Sequence, residues 1–173
     1  MNVLAEFKKV TTFVFDIDGV LTDSTVLLLG NGVQARRMNI KDGLGLQMAI
    51  KNGFRVVTIS GSQSEPVVER LRKLGVEEVQ MSVGDKKRFI SEYVAKNNLK
   101  WEEVLYMADD LPDLDLMKIV GLPCCPADAV SEILELSKYI SPVSGGCGCV
   151  RDVIQKVLKV QDKWNFHPEI TSK

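Results

Sequence analysis

The stretch from Thr12 to Asp23 constrains the fold more than any other part of the chain. Thr12–Phe15 is β-branched and aromatic and carries no charge, which predicts a strand buried on both faces of a parallel sheet. Where that strand should end, two carboxylates two residues apart, Asp16 and Asp18, precede Gly19. The carboxyl edge of an open α/β sheet is where such folds hold ligands. Alternation along an extended chain points both acids roughly the same way, unless the backbone turns between them. Two anionic groups that close repel each other and call for a positive partner, most simply a hard divalent cation. Two solvated loop acids after a core strand are the other reading of the same residues.

The 173 residues are enough for one domain with a real core, and 45% hydrophobic with 26% charged residues is ordinary for a globular protein. A formal net charge of −1 without a long basic run points away from nucleic acid and from anionic membranes as partners. No run approaches the roughly eighteen apolar residues that span a bilayer. Residues 1–9 lack the layout of a secretory signal, so a cytoplasmic protein is expected. Cys124 and Cys125 are adjacent, and one residue separates Cys147 from Cys149. Both spacings are too tight for paired zinc ligands, and the four cysteines are expected as free thiols.

Downstream, strands and helices alternate. Ser24–Leu29 and Val33–Ile40, joined by Gly30, Asn31 and Gly32, read as a β-hairpin. Leu27–Leu29 is apolar on both faces, a surface expected to be covered by another subunit or by the chain's own sheet. Helices are expected at Leu44–Lys51, Glu65–Leu74 with Pro66 in its first turn, Lys86–Asn97, Leu114–Val120, Ala129–Leu136 and Val150–Val160. Further strands are expected at Phe54–Ile59, Val76–Met81, Val104–Ala108 and Leu122–Cys125, and Ser144–Cys149 reads as a flexible loop. This alternation predicts an α/β fold with a doubly wound, mainly parallel sheet. It spans one domain over 1–164, with a hairpin insertion at about 24–40 and a flexible tail at 165–173.

Four strand ends present groups suited to one task. Asp16 and Asp18 follow the first strand, Ser60 the second, Lys86 lies beyond the third, and Asp109 and Asp113 follow the fourth. A phosphate monoester is an anion and approaches acids only where cations compensate. Magnesium held by carboxylates, with one ammonium, would do so, and Ser60 with backbone N–H groups would bond the equatorial oxygens. Taken singly, Ser60 reads as a helix cap, Lys86 as a solvated lysine and Asp113 as a helix-start acid. In this order and spacing the set resembles the haloacid dehalogenase superfamily of phosphotransferases. Its first motif is Asp-x-Asp-Gly followed by two hydrophobic residues and Thr, here Asp16–Thr22.

The resemblance implies that Asp16 attacks phosphorus to give an aspartyl-phosphate, while Asp18 protonates the leaving oxygen and then activates water. It implies Mg2+ held by the Asp16 carboxylate, the Asp18 backbone carbonyl and the Asp109 carboxylate, with Asp113 behind them and Lys86 clamping the phosphate. The gaps between motifs are too short for a cap domain, which points to the uncapped branch. That branch forms homotetramers in which a neighbour's loops help cover the site, a task for the hairpin and the Gly145–Cys149 loop.

Residues 9–164 further resemble the ketoacid sugar phosphate phosphatases of that branch, above all the 3-deoxy-D-manno-octulosonate 8-phosphate phosphatases of lipopolysaccharide synthesis. Asn39–Gly43, Gly121–Pro126, Ser137–Ile140 and Gly145–Asp152 carry the likeness. The substrate contacts it implies are Asn39, Ile40, Lys41, Asp42, Gly43, Gln47, Ser62, Arg70 and Lys86. The chain departs from the pattern at Gln47, Ser62 and Cys147, where relatives often carry arginines, and so lacks those bidentate carboxylate donors. Ala108 stands where glycine is usual. Lys73 is either a further contact or part of a solvated helix face, and a lysine there is also found in nine-carbon ketoacid 9-phosphate phosphatases. A nine-carbon substrate, a receiver-like phosphoacceptor and an assembly module with a dead site are the other readings.

Overall fold

The computed structural model describes residues 2–30, 32–165 and 170. A short helix, α1 (Val3–Phe7), leads into β1 (Thr12–Asp16), which is buried at every position. A small antiparallel hairpin follows, β2 (Leu27–Leu28) with β3 (Gln34–Ala35), and then α2 (Ile40–Lys51). The chain continues through β4 (Arg55–Ile59), α3 (Glu65–Lys73), β5 (Glu78–Gln80), α4 (Lys86–Lys96) and β6 (Val104–Met107). It closes with α5 (Leu114–Met117), β7 (Leu122–Cys125), α6 (Ser131–Leu136), β8 (Tyr139–Ile140) and α7 (Cys149–Val160).

Six strands form one sheet in the order β5-β4-β1-β6-β7-β8, and every pairing is parallel. The doubly wound α/β architecture follows from the alternation on β1. Phe13 and Phe15 face a core built with α1, α2, α3 and α7, while Val14 faces a second core built with α4, α5 and α6. A strand with apolar side chains on both faces needs helices on both sides, and parallel neighbours reached by helical crossovers provide them. Because β1 lies between β4 and β6, the chain's direction of winding reverses there, which opens a crevice at the carboxyl ends of these three strands.

The differences from expectation have local causes. Helix α2 starts at Ile40 rather than Leu44, with Asn39 Oδ1 accepting the Lys41 N–H at 2.8 Å as its cap. Asn39–Gly43 reads as a polar link, but Gly43, like Gly45, is an interior helix position where neighbours come close. A Cβ on Gly43 would lie 3.2 Å from Arg70 Nη2, and one on Gly45 3.2 Å from the Arg151 Cα. The hairpin pairs over two residues per strand, and Val26, Leu27, Leu28, Leu29 and Val33 are exposed. Strand β8 and helix α1 were not expected. Asn31 and most of the expected tail lie outside the described residues, and Ile170 is buried in the larger core. All four cysteines are free. Among the described residues no helix is long and apolar enough to cross a membrane.

Candidate active site

The first acid is delivered by β1 and the second by a turn. After Asp16 the chain winds once through Ile17–Leu21, with Asp18 extended (φ −74°, ψ 117°) and Gly19 left-handed (φ 89°). Thr22 closes this turn, its N–H donating to the Ile17 carbonyl at 3.0 Å and its hydroxyl accepting the Gly19 N–H at 3.3 Å. The winding sends the two carboxylates to different partners, unlike the alternation of a straight strand. At position 19 only glycine fits, since a Cβ would fall 1.9 Å from Asp109 Oδ2. Gly145 and Gly146 press on the turn from the other side. A Cβ on Gly145 would fall 2.0 Å from the Gly19 carbonyl oxygen, and Gly146 N–H donates to the Val20 carbonyl at 2.9 Å. The 145–149 loop, expected to be flexible, is therefore pinned to its own chain's acid-bearing turn, with Cys147 left exposed.

Asp16 heads the deep half of the site. Its Oδ1 accepts the Ile17 N–H at 2.8 Å and the Lys86 ammonium at 2.8 Å. Lys86 opens α4, whose Asp85 cap accepts the Arg88 N–H at 2.8 Å, and its ammonium also reaches Asp113 Oδ1 at 2.7 Å. Asp113 Oδ1 in turn accepts the buried Tyr106 hydroxyl at 2.5 Å. Asp16, Asp109 and Asp113 each offer a carboxylate oxygen, all within 4.8 Å of one another. Ser24 donates to Asp109 Oδ2 at 3.4 Å, whereas Asp109 Oδ1 is buried without a partner.

One ammonium does not balance three carboxylates. Burial first, and then the charge of Asp113, push Asp16 up to about 8 despite Lys86. Burial, with the charges of Asp113 and Asp110, lifts Asp109 to about 6. Burial disfavours the Lys86 ammonium, but Asp16 and Asp113 together hold its pKa above the ordinary lysine value. A hard divalent cation fits this donor set: it would take up the orphaned Asp109 oxygen and let Asp16 ionise at neutral pH.

Asp18 heads the shallow half. Its Oδ2 accepts the Ser62 hydroxyl at 2.5 Å and the Ser60 hydroxyl at 3.3 Å, and its Oδ1 accepts Arg36 Nε at 2.5 Å. Burial works against its charge, but the hydrogen bonds from Arg36 and Ser62 prevail and hold it below the usual carboxylate range. Ser60 caps no helix, because α3 is preceded by Ser64 instead. Arg36 was not anticipated. Its neighbour Arg37 is exposed and pairs with Asp23 at 2.5 Å, and the sequence has no mark to tell the two arginines apart.

Asp16, Asp18 and Lys86 line two cavities, one of about 360 Å3 extending to Ser60, Gly61 and Ser62, the other of about 260 Å3 extending to Asp109 and Asp113. A third, of about 680 Å3, lies beneath the hairpin and is lined by Arg36, Met38, Ser64, Val67 and Arg70 among others. Of the residues expected at the substrate, Lys86, Ser62 and Arg70 line these spaces. Asn39, Ile40, Lys41, Asp42, Gly43 and Gln47 do not. Asp42 turns inward, accepting the Arg151 N–H at 2.6 Å, and burial raises it to about 6 against the backbone N–H bonds at the start of α7. Gly43 is buried beneath Arg70, Ile40 and Lys41 are exposed, and Gln47 is half-buried. Lys73 pairs with Glu69 at 2.6 Å on a solvated face. Asp110 caps the turn after it, accepting the Leu111 N–H at 2.7 Å, and Ala108 is buried in the core of the α4–α6 side.

No family model matches the chain. It is 30% identical over 162 residues to the 3-deoxy-D-manno-octulosonate 8-phosphate phosphatase of Escherichia coli, covering 94% of this chain and 86% of that protein. The crystal structure of the Yersinia pestis 3-deoxy-D-manno-octulosonate 8-phosphate phosphatase superimposes with a TM-score of 0.90 at 30% identity, over 93% of this chain and 87% of that one. That of Moraxella catarrhalis, in complex with magnesium ion, phosphate ion and KDO, gives 0.91 at 28% identity over 94% and 93%.

Proposed function

The chain belongs to the 3-deoxy-D-manno-octulosonate 8-phosphate phosphatase family of the haloacid dehalogenase superfamily, and on that premise we propose that it hydrolyses 3-deoxy-D-manno-octulosonate 8-phosphate. The products are the free eight-carbon keto sugar acid and inorganic phosphate. The observation that carries the reading is the pairing of a buried, Lys86-bound Asp16 with a half-exposed, serine-bound Asp18 on one cavity wall. That is a nucleophile beside an acid–base group.

An Asp16 carboxylate oxygen forms the bond to phosphorus, and the bond from phosphorus to the sugar oxygen breaks. Asp18 gives its proton to that oxygen as it leaves. In the second half, water attacks the aspartyl-phosphate, Asp18 takes the water's proton, phosphate departs, and Asp16 returns as a carboxylate. Asp18 ends the cycle holding that proton, and the negative charge of the next phosphate beside it favours the protonated form against the pull of Arg36 and Ser62. Splitting one displacement into two lowers each barrier, and general acid–base help contributes ~10²–10⁴ in rate. Lys86 fixes Asp16 and faces the phosphate, while Ser60, Ser62 and the Gly61 backbone border the space for its equatorial oxygens.

Asp16, Asp109 and the Asp18 backbone carbonyl would hold Mg2+, with Asp113 supporting them from behind. When bound, the ion supplies positive charge against the phosphoryl oxygens. For the sugar acid we assign the cavity beneath the hairpin, where Arg70 offers a guanidinium to its carboxylate. Asn39, Ile40, Lys41, Asp42, Gly43 and Gln47 would then act on substrate through the shape of the first turns of α2. We further assign the exposed Val26–Leu29 surface and the Cys147 loop to contacts within a homotetramer, supported by the bare apolar side chains of the hairpin. Four free thiols fit a reducing cytoplasm.

Phosphate release from the eight-carbon 8-phosphate and from nine-carbon ketoacid 9-phosphates, each with and without chelator, tests the reading. Preferred hydrolysis of the former, abolished by chelation, is expected; equal and poor rates on both would reject it. Lys73, the residue that favours the nine-carbon alternative, pairs with Glu69 on an exposed helix face, a weak contact that substrate could replace. A phosphoacceptor would keep its phosphate, so one equivalent of labelled Asp16 without steady-state release would favour that role, whereas unchanged release in Asp18→Asn would overturn the acid–base role of Asp18.

A further inference from the structure

We propose that Arg36 is a positioning residue that holds the Asp18 carboxylate for proton transfer, an inference that rests on the phosphatase reading above. Arg36 lies just past β3 on an otherwise exposed hairpin, yet its side chain is only 3% exposed. Each part of the guanidinium is engaged. Nε donates to Asp18 Oδ1 at 2.5 Å, Nη2 to the Ser62 hydroxyl at 3.1 Å, and Nη1 to the Gln34 carbonyl at 3.3 Å.

Asp18 sits on a turn, where no strand neighbour fixes its torsions. Its orientation is set from outside: Arg36 holds one oxygen, and Ser62 and Ser60 hold the other. The three supports come from two separate segments, and Arg36 bonds both the acid and one of its serines. Removing it therefore frees Oδ1 and loosens the Ser62 hydroxyl together. A planar fork held at three points does this, whereas a lysine ammonium on a flexible stem would act as a point charge. A larger residue at position 62 would displace the hydroxyl that Arg36 Nη2 meets at 3.1 Å. Arg36 and Ser62 form a matched pair linking the hairpin to the acid–base group.

A leaving-group comparison separates this role from binding and from general structural support. The sugar 8-phosphate has an alkoxide leaving group that needs a proton, while 4-nitrophenyl phosphate has one that departs without it. Arg36→Ala is expected to lower kcat/KM on the sugar phosphate about 10²-fold, with the loss in kcat, and on 4-nitrophenyl phosphate by less than about fivefold. Arg36→Lys should recover only part of the sugar phosphate activity. In an Asp18→Asn background Arg36→Ala should cost nothing further, as groups acting as one unit do. Ser62→Ala leaves the hairpin intact and should show the same substrate bias at about fivefold. Equal losses on both substrates, a loss confined to KM, or additivity with Asp18→Asn would overturn the proposal. If the wild-type protein hydrolysed neither substrate, the phosphatase reading itself would fall, and the role of Arg36 with it.

Discussion

Asp16 and Asp18 stand two residues apart on one motif, yet they live in different environments. Asp16 is 6% exposed, ends a central strand and is met by a buried ammonium. The Asp18 side chain is 36% exposed, rides on a turn and is met by hydroxyls and a guanidinium from elsewhere in the chain. The same side chain is thereby given opposite properties. Burial drives the Asp16 proton affinity up until a cation arrives, whereas hydrogen bonds hold that of Asp18 down. A nucleophile benefits from a fixed, dehydrated position, and a proton carrier needs contact with solvent. The lesson is that role follows from how far each acid has moved from the strand end, not from residue type.

The strongest test of this contrast is Asp16→Asn, which removes the nucleophile and should lower phosphate release at least about 10⁴-fold. Gly19→Ala comes next. Its methyl would collide with Asp109 Oδ2 at a left-handed backbone position, so magnesium should cease to raise the melting temperature, and turnover should fall by about 10²-fold or more. Tyr106→Phe strips the deep half of one donor, leaving Asp113 short of a partner. Urea unfolding should show a loss of about 1–3 kcal/mol, while Ser62→Ala in the shallow half should stay below about 1 kcal/mol. Equal costs for these two would erase the distinction between the halves.

The remaining effect is in pH. In chelator the folded protein keeps a proton on Asp16 that the unfolded chain has lost, so this group stabilises the fold most at low pH. Its contribution fades as pH rises from just below 4 through about 8. The difference in urea midpoint between wild type and Asp16→Asn should trace that decline, and saturating magnesium should flatten it.

The deep half was the more legible from sequence. Asp16 ends a buried strand, Asp109 lies just past another, Lys86 opens a helix and Asp113 follows a short turn, so local pattern alone puts them at one sheet edge. Arg36 escaped because it sits beside Arg37 in a hairpin without a strong pattern, and only tertiary contact buries one and exposes the other. Asp42 was expected at the substrate, but the start of α7 draws it inward, a contact between segments far apart in sequence. The early start of α2 was hidden by Gly43, whose low helix propensity (about 1 kcal/mol against alanine) is outweighed by close packing against Arg70 and Leu74. Strand β8 is two residues long, too short for periodicity to reveal.

The backbone of Gly145 and Gly146 rests on the turn that carries Asp18, joining an early and a late segment of the sequence at the reaction centre. During synthesis, the first acid motif therefore emerges from the ribosome long before the segment that braces it. A chain interrupted before Gly145 would hold Asp16, Asp18, Ser60, Lys86 and Asp109 and still lack the floor under the turn. Termination or proteolytic clipping before Gly145 is thus expected to silence the protein outright rather than trim a dispensable edge.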